Sequence, residues 1–89
     1  MDNLCFLYSI QDKTANRFGP LFEAINDDVA ARLYIQQINK VNEQFRDEYA
    51  LYKVGEYNTL TGFITPENYP KKLELPYNYS MKKEVKANE

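Results

Sequence analysis

Residues 7–32, LYSIQDKTANRFGPLFEAINDDVAAR, constrain this chain more than any other stretch. Side chains alternate there, break at a basic loop and a Gly-Pro step, resume, and stop at Asn26-Asp27-Asp28. From Leu4 to Asp12 the period of two puts Leu4, Phe6, Tyr8 and Ile10 on one side, and Cys5, Leu7, Ser9 and Gln11 on the other, which is the pattern of a strand. The first set is the expected core face. Leu7 makes the second face less polar than water requires, so the strand is expected to be central or partly covered by another subunit. The turn formers of DKTANRFG and the extended bias before Pro20 lead into a second strand over residues 21–25, antiparallel to the first.

Asn26 supplies a side-chain acceptor for the free amides of a helix start, and Asp27 and Asp28 put negative charge where the helix dipole favours it. Ala30, Leu33, Tyr34, Ile38 and Val41 then recur at helical spacing, with Arg32, Gln36, Asn39 and Lys40 on the far side. That apolar stripe is expected to cover the sheet. Ile35 lies off its centre, either widening the core contact or starting an intersubunit patch. The polar residues 42–48 suit a fraying helix end, anchored by Phe45. Residues 49–57 read as a strand with Ala50, Tyr52 and Val54 on one side and Leu51, Lys53, Gly55 and Tyr57 on the other, Gly55 marking a bulge or a close backbone approach. Residues 58–62 form a hairpin loop in which Gly62 is free to take positive φ, and Phe63 and Ile64 return as a short strand ending at Pro66.

The expected fold is therefore α+β: a small antiparallel β-β-α-β-β sheet with one helix packed on one face. Residues 1–66 make the single domain, and residues 67–89, with further prolines, clustered lysines and tyrosines, make an extended C-terminal arm. A chain of 89 residues builds only a modest core, so a second copy is a natural supplement and a homodimer is expected. Leu7, Ile35 and Tyr57 are its candidate interface residues.

The chemistry available is narrow. There is no histidine and one cysteine, so neither an internal disulfide nor a Cys/His zinc site can form, which fits a reducing compartment. Cys5, in an apolar strand, reads as a small buried hydrophobe. Asp27-Asp28 reads as helix-terminal charge and Asp47-Glu48 as a solvated turn, and the three scattered glycines make no phosphate loop. No catalysis, metal or cofactor is expected. No run approaches the roughly twenty apolar residues of a membrane span, so the protein is expected to be neither secreted nor membrane-integral. With 11 basic and 13 acidic residues and a net charge of −2, any nucleic-acid contact has to be local.

The best local candidate is the loop after the first strand. Lys13 and Arg17 could grip successive phosphates while Phe18 stacks on an unpaired base. The competing reading has Phe18 folding back onto the core and the cations solvating the loop. In the arm, Lys71-Lys72 and Lys82-Lys83 lie beside tyrosines, but neighbouring glutamates offset their charge, and a solvated or partner-packed tail is the simpler reading.

Taken together, LYSIQDKTANRFGPLFEAINDDVAARLYIQQIN followed by YALYKVGEYNTLTGFITP resembles the small non-structural protein of gokushovirus-type microviruses, single-stranded DNA phages. The resemblance covers most of residues 7–66. It implies a non-enzymatic role in genome replication in the cytoplasm of the infected bacterial host, through single-stranded DNA or the replication complex. DNA contact would fall to Lys13, Arg17 and Phe18 with Lys53, Lys71 and Lys72. The alternative is a protein-interaction module that engages the viral initiator or a host replication factor through a tyrosine-rich surface.

Overall fold

A computed structural model of the protein describes residues 3–75. Strand β1 (Leu4–Asp12) turns back into β2 (Arg17–Phe18) and β3 (Phe22–Ala24), helix α1 (Asp27–Ile38) follows, and a short 3₁₀ helix (Glu43–Glu48) leads to β4 (Tyr49–Asn58) and β5 (Ile64–Lys72). The fold is α+β, an antiparallel sheet with one main helix, as the sequence predicts. β1 is central, with β4 along one edge and β2 and β3 in succession along the other, while β5 pairs only with β4.

The Gly-Pro step divides the second strand. Between Gln11↔Phe18 and Tyr8↔Phe22 the partner chain uses one residue more than β1, because Pro20 has no amide to donate to the ladder. The Gly19 amide donates to the Ile10 carbonyl at 2.9 Å, and the Ser9 hydroxyl donates to the Gly19 carbonyl at 2.9 Å. The buried Ser9 is thus satisfied at the break.

α1 starts where its signals lie. Asn26 is extended and its Oδ1 accepts from the Val29 amide at 2.9 Å, with Asp27 and Asp28 in the first turn. Ala30, Tyr34 and Ile38 pack against Tyr8, Ala24 and Leu51 of the sheet, ringed by Phe6, Ile10, Phe22, Leu33 and Ile35. Full burial of Ile38 and Leu51 contributes about 1.5–3 kcal/mol each. Three small residues, Ala24, Ala30 and Ala31, let the helix approach closely but keep the core thin.

Four expectations are corrected. Leu4, assigned to the core face, is 51% exposed, because it lies at the sheet's end, opposite Asn58 and beyond the reach of α1. Phe45 is exposed and anchors nothing; the turn after α1 is held by Arg46, whose Nε donates to the Val41 carbonyl at 2.9 Å and Nη2 to that of Asn39 at 3.3 Å. The returning strand does not end at Pro66 but runs to Lys72, since an edge strand tolerates residues that cannot donate outward. Finally, the alternation of β4 is interrupted. Leu7 pairs with Gly55 and Tyr8 with Lys53, so Val54 is an extra residue that moves Gly55 and Tyr57 to the face opposite Lys53.

Gly55 has both properties read from the sequence, lying at the bulge and in close approach to β5, and Gly62 has φ +83° in the hairpin loop. Asn58 organises that loop, its Oδ1 accepting from the amides of Leu60 and Thr61 at 2.9 and 3.0 Å. The described part of residues 67–89 continues β5 and then returns to the core through Leu73 and Leu75; residues 76–89 lie outside the described residues. None of the described helices is long and apolar enough to cross a membrane.

Candidate nucleic-acid interface

Residues directly paired across an antiparallel ladder project to the same face of the sheet. The register therefore sorts the candidate residues into two sets. Tyr8, Ile10, Leu51 and Lys53 share the α1 face, joined by Lys71 opposite Lys53. The face away from α1 carries Phe18 opposite Gln11, then Tyr52 opposite Ser9 and Lys72, then Gly55 opposite Leu7 and Pro66, then Tyr57 opposite Cys5 and Ile64.

On that second face Phe18 and Tyr52 form an edge-on pair with ring centroids 5.2 Å apart and planes at 69°. The pair spans β2 and β4 across the central strand, covering Ser9 and leaving Phe18 39% exposed. Lys72 is exposed and lies directly across from Tyr52. An aromatic pair flanked by a cation is the minimal unit for holding an unpaired base and its phosphate. The one acidic side chain that the register places on this face is Glu23, opposite Leu7 at the β3 edge.

The other candidates are placed differently. Lys13 and Arg17 are exposed at the β1–β2 turn, where Asp12 Oδ1 accepts from the Ala15 amide and Asn16 takes φ 59°. Arg17 stands opposite Asp12, and the Lys13 amide donates to the Glu48 carbonyl at 2.8 Å, so this basic turn lies against an acidic one. Lys53 belongs to a different assembly at the start of α1. Its ammonium is 3.3 Å from Asp27 Oδ1 and 4.4 Å from the Phe6 ring centroid. The same Asp27 oxygen accepts from the buried Tyr8 hydroxyl at 2.8 Å. Burial first, and then the hydrogen bond to Asp27 and its charge, raise the Tyr8 pKa well above the usual phenol value, so the donor stays protonated. That network ties the helix start to the sheet and consumes Lys53. Lys71 is 3.3 Å from Glu67, closing the neck of a segment of β5, residues 67–70, that loops out of register with β4.

Of the six predicted DNA-contact residues, Phe18 and Lys72 thus share one face, Lys13 occupies the turn at its corner, and Arg17, opposite Asp12, lies with Lys53 and Lys71 on the other face. Of the predicted interface residues, Leu7 is buried between β3 and β4, Ile35 packs at the margin of the core, and Tyr57 is half-buried opposite Ile64. The sequence reading missed Tyr52. Its signal was the alternation with Leu51: once Leu51 is core, Tyr52 faces away. Among the described residues no cluster of side chains is arranged to hold a metal ion.

Comparison with known proteins matches residues 5–79 to a family model described as Phage ORF5 protein. No curated protein and no solved structure matches the chain.

Proposed function

The chain belongs to the Phage ORF5 protein family of bacteriophages, and from that premise we propose that it is a non-enzymatic phage protein that binds single-stranded DNA during genome replication. The observation that carries this reading is the Phe18–Tyr52 pair beside Lys72 on the sheet face away from α1. Bases stack on the two rings, Lys72 takes a phosphate, and Lys13 and Arg17 extend the basic track around the corner of the sheet. A duplex hides the base faces that such a platform uses, so unpaired DNA is the preferred form. The virus is of the gokushovirus type, and the protein acts in the cytoplasm of the infected bacterium.

Titration of a labelled single-stranded oligonucleotide across a salt series tests the reading. Phe18→Ala and Tyr52→Ala should each weaken binding by about 1–3 kcal/mol, the worth of a stacked base. Lys72→Ala should lower affinity and flatten the salt dependence by about one counterion. Lys53→Ala and Lys71→Ala, on the opposite face, should leave affinity nearly unchanged. Absent or salt-independent binding rejects the proposal, and so does an affinity that depends on Lys53 as much as on Lys72.

A further inference from the structure

Two grooves border α1. Leu73 and Leu75 follow β5 into the first, beside Tyr34, Tyr49 and Leu51, and the Leu73 amide donates to the Leu51 carbonyl at 2.9 Å. The second, of about 500 Å³, lies between Leu33, Gln37 and Val41 on the helix side and Leu21 and Phe22 on the sheet side, and Tyr49 lines both grooves. No charged side chain lines the second groove, and Leu21 is left 59% exposed there. The sequence after β5 offers side chains without a place. Leu73 and Leu75 are continued at the same spacing by Tyr77, Tyr79 and Met81, with Glu74, Pro76, Asn78, Ser80 and Lys82 between them. β4 begins at Tyr49 and Pro76 has no amide to donate, so the apolar alternation outlasts the ladder and needs another surface.

We propose that residues 76–81 pass the C-terminal end of α1 and dock in the second groove, where Tyr79 and Met81 cover the partly buried Leu33 and Phe22. Position names this segment as the occupant, because Leu75, the last described residue, already lies against Tyr49, the side chain that the two grooves share. Reach allows it. At about 3.3 Å per residue, residues 76–81 extend about 20 Å, against a helix about 10–12 Å across. Chemistry matches as well: residues 75–81 carry no charge, the first cations being Lys82 and Lys83, and the side-chain amides of Gln36 and Gln37 in the groove can pair with an extended backbone. The family model also runs past Leu75 to Tyr79, so the shared unit includes most of the segment. Being tethered, the segment competes for the groove at an effective concentration on the order of millimolar, which favours it over a second copy or a free partner.

Urea unfolding of the full chain, without DNA, tests this independently of DNA binding. Tyr79→Ser with Met81→Ser should lower the midpoint, and so should Leu21→Ser on the groove wall. All three together should cost less than the sum, since the same docking is lost only once. Ile25→Ser, at a site 65% exposed and outside the groove, should leave the midpoint unchanged. In a second experiment, with Cys5→Ser to remove the native thiol, Gln37→Cys should form a disulfide with Tyr79→Cys within one chain, at a rate independent of protein concentration. Glu23→Cys, next to Phe22 but on the opposite face of the sheet, should not. An unchanged midpoint for either set, strictly additive losses, or equal disulfide formation from positions 37 and 23 overturns the proposal. So does a disulfide that forms between chains, which assigns the groove to a second copy.

Discussion

A methyl group added at position 55 would sit 2.8 Å from the Thr65 carbonyl oxygen and 3.3 Å from the Pro66 Cα. Both are backbone atoms of the neighbouring strand, so no side chain can swing away to relieve the clash. Gly55→Ala should therefore cost about 1–3 kcal/mol of stability, as overpacked sites do, measured by urea unfolding. Gly62→Ala meets open space, and its cost, about 1 kcal/mol, comes from the backbone at φ +83° alone. The contrast separates contact from conformation. Tyr34 gives a third single-residue effect. Burial, with the Asp47 charge adding to it, pushes its pKa up from 10.0 to about 12. The unfolded chain releases this proton near pH 10 while the native protein holds it to about 12, so its stabilising effect is complete below pH 10 and is lost as pH rises through that window. Thermal melting across the window should show the fall, and Tyr34→Phe should make it shallower.

The elements differ in how openly the sequence announces them. α1 is written locally: Asn26, two aspartates and a stripe at helical spacing need no tertiary information, and Asn26→Ala should lower stability by about 1 kcal/mol through the lost acceptor for the Val29 amide, read from the denaturation midpoint. The β4–β5 turn is equally local, through Asn58 and Gly62. β5 was not legible beyond Pro66, because proline argues against a strand unless the strand is known to lie at an edge, and edges are a property of the assembled sheet. The bulge at Val54 was hidden for a related reason. Its position was hinted at by Gly55, but its effect, moving Tyr57 to the face of Tyr52, depends on the register with β1. Of the candidate DNA-contact residues, all but Phe18 stand out in the sequence as cations, not as members of a face. Charge is visible in a sequence, whereas the pairing that consumes Lys53 with Asp27 and Lys71 with Glu67 is not.

At the scale of the molecule, the helix packs on one side of the sheet and the aromatic pair lies on the other. With so thin a core, a second copy would add stability, and a thermal midpoint that rises with protein concentration in scanning calorimetry is the expected sign of it; a constant midpoint would show a chain stable alone. The order of strands has a consequence for the protein's birth as well. β1 and β4 form the central ladder, yet β1 begins at Leu4 and its partner is completed only at Asn58. During synthesis β1, β2, β3 and α1 leave the ribosome first, with one long edge of β1 bare and the core still lacking Leu51. The nascent chain keeps that edge open to other chains until β4 has followed, so the length of its exposure is set by the rate at which the segment from β2 to β4 is made.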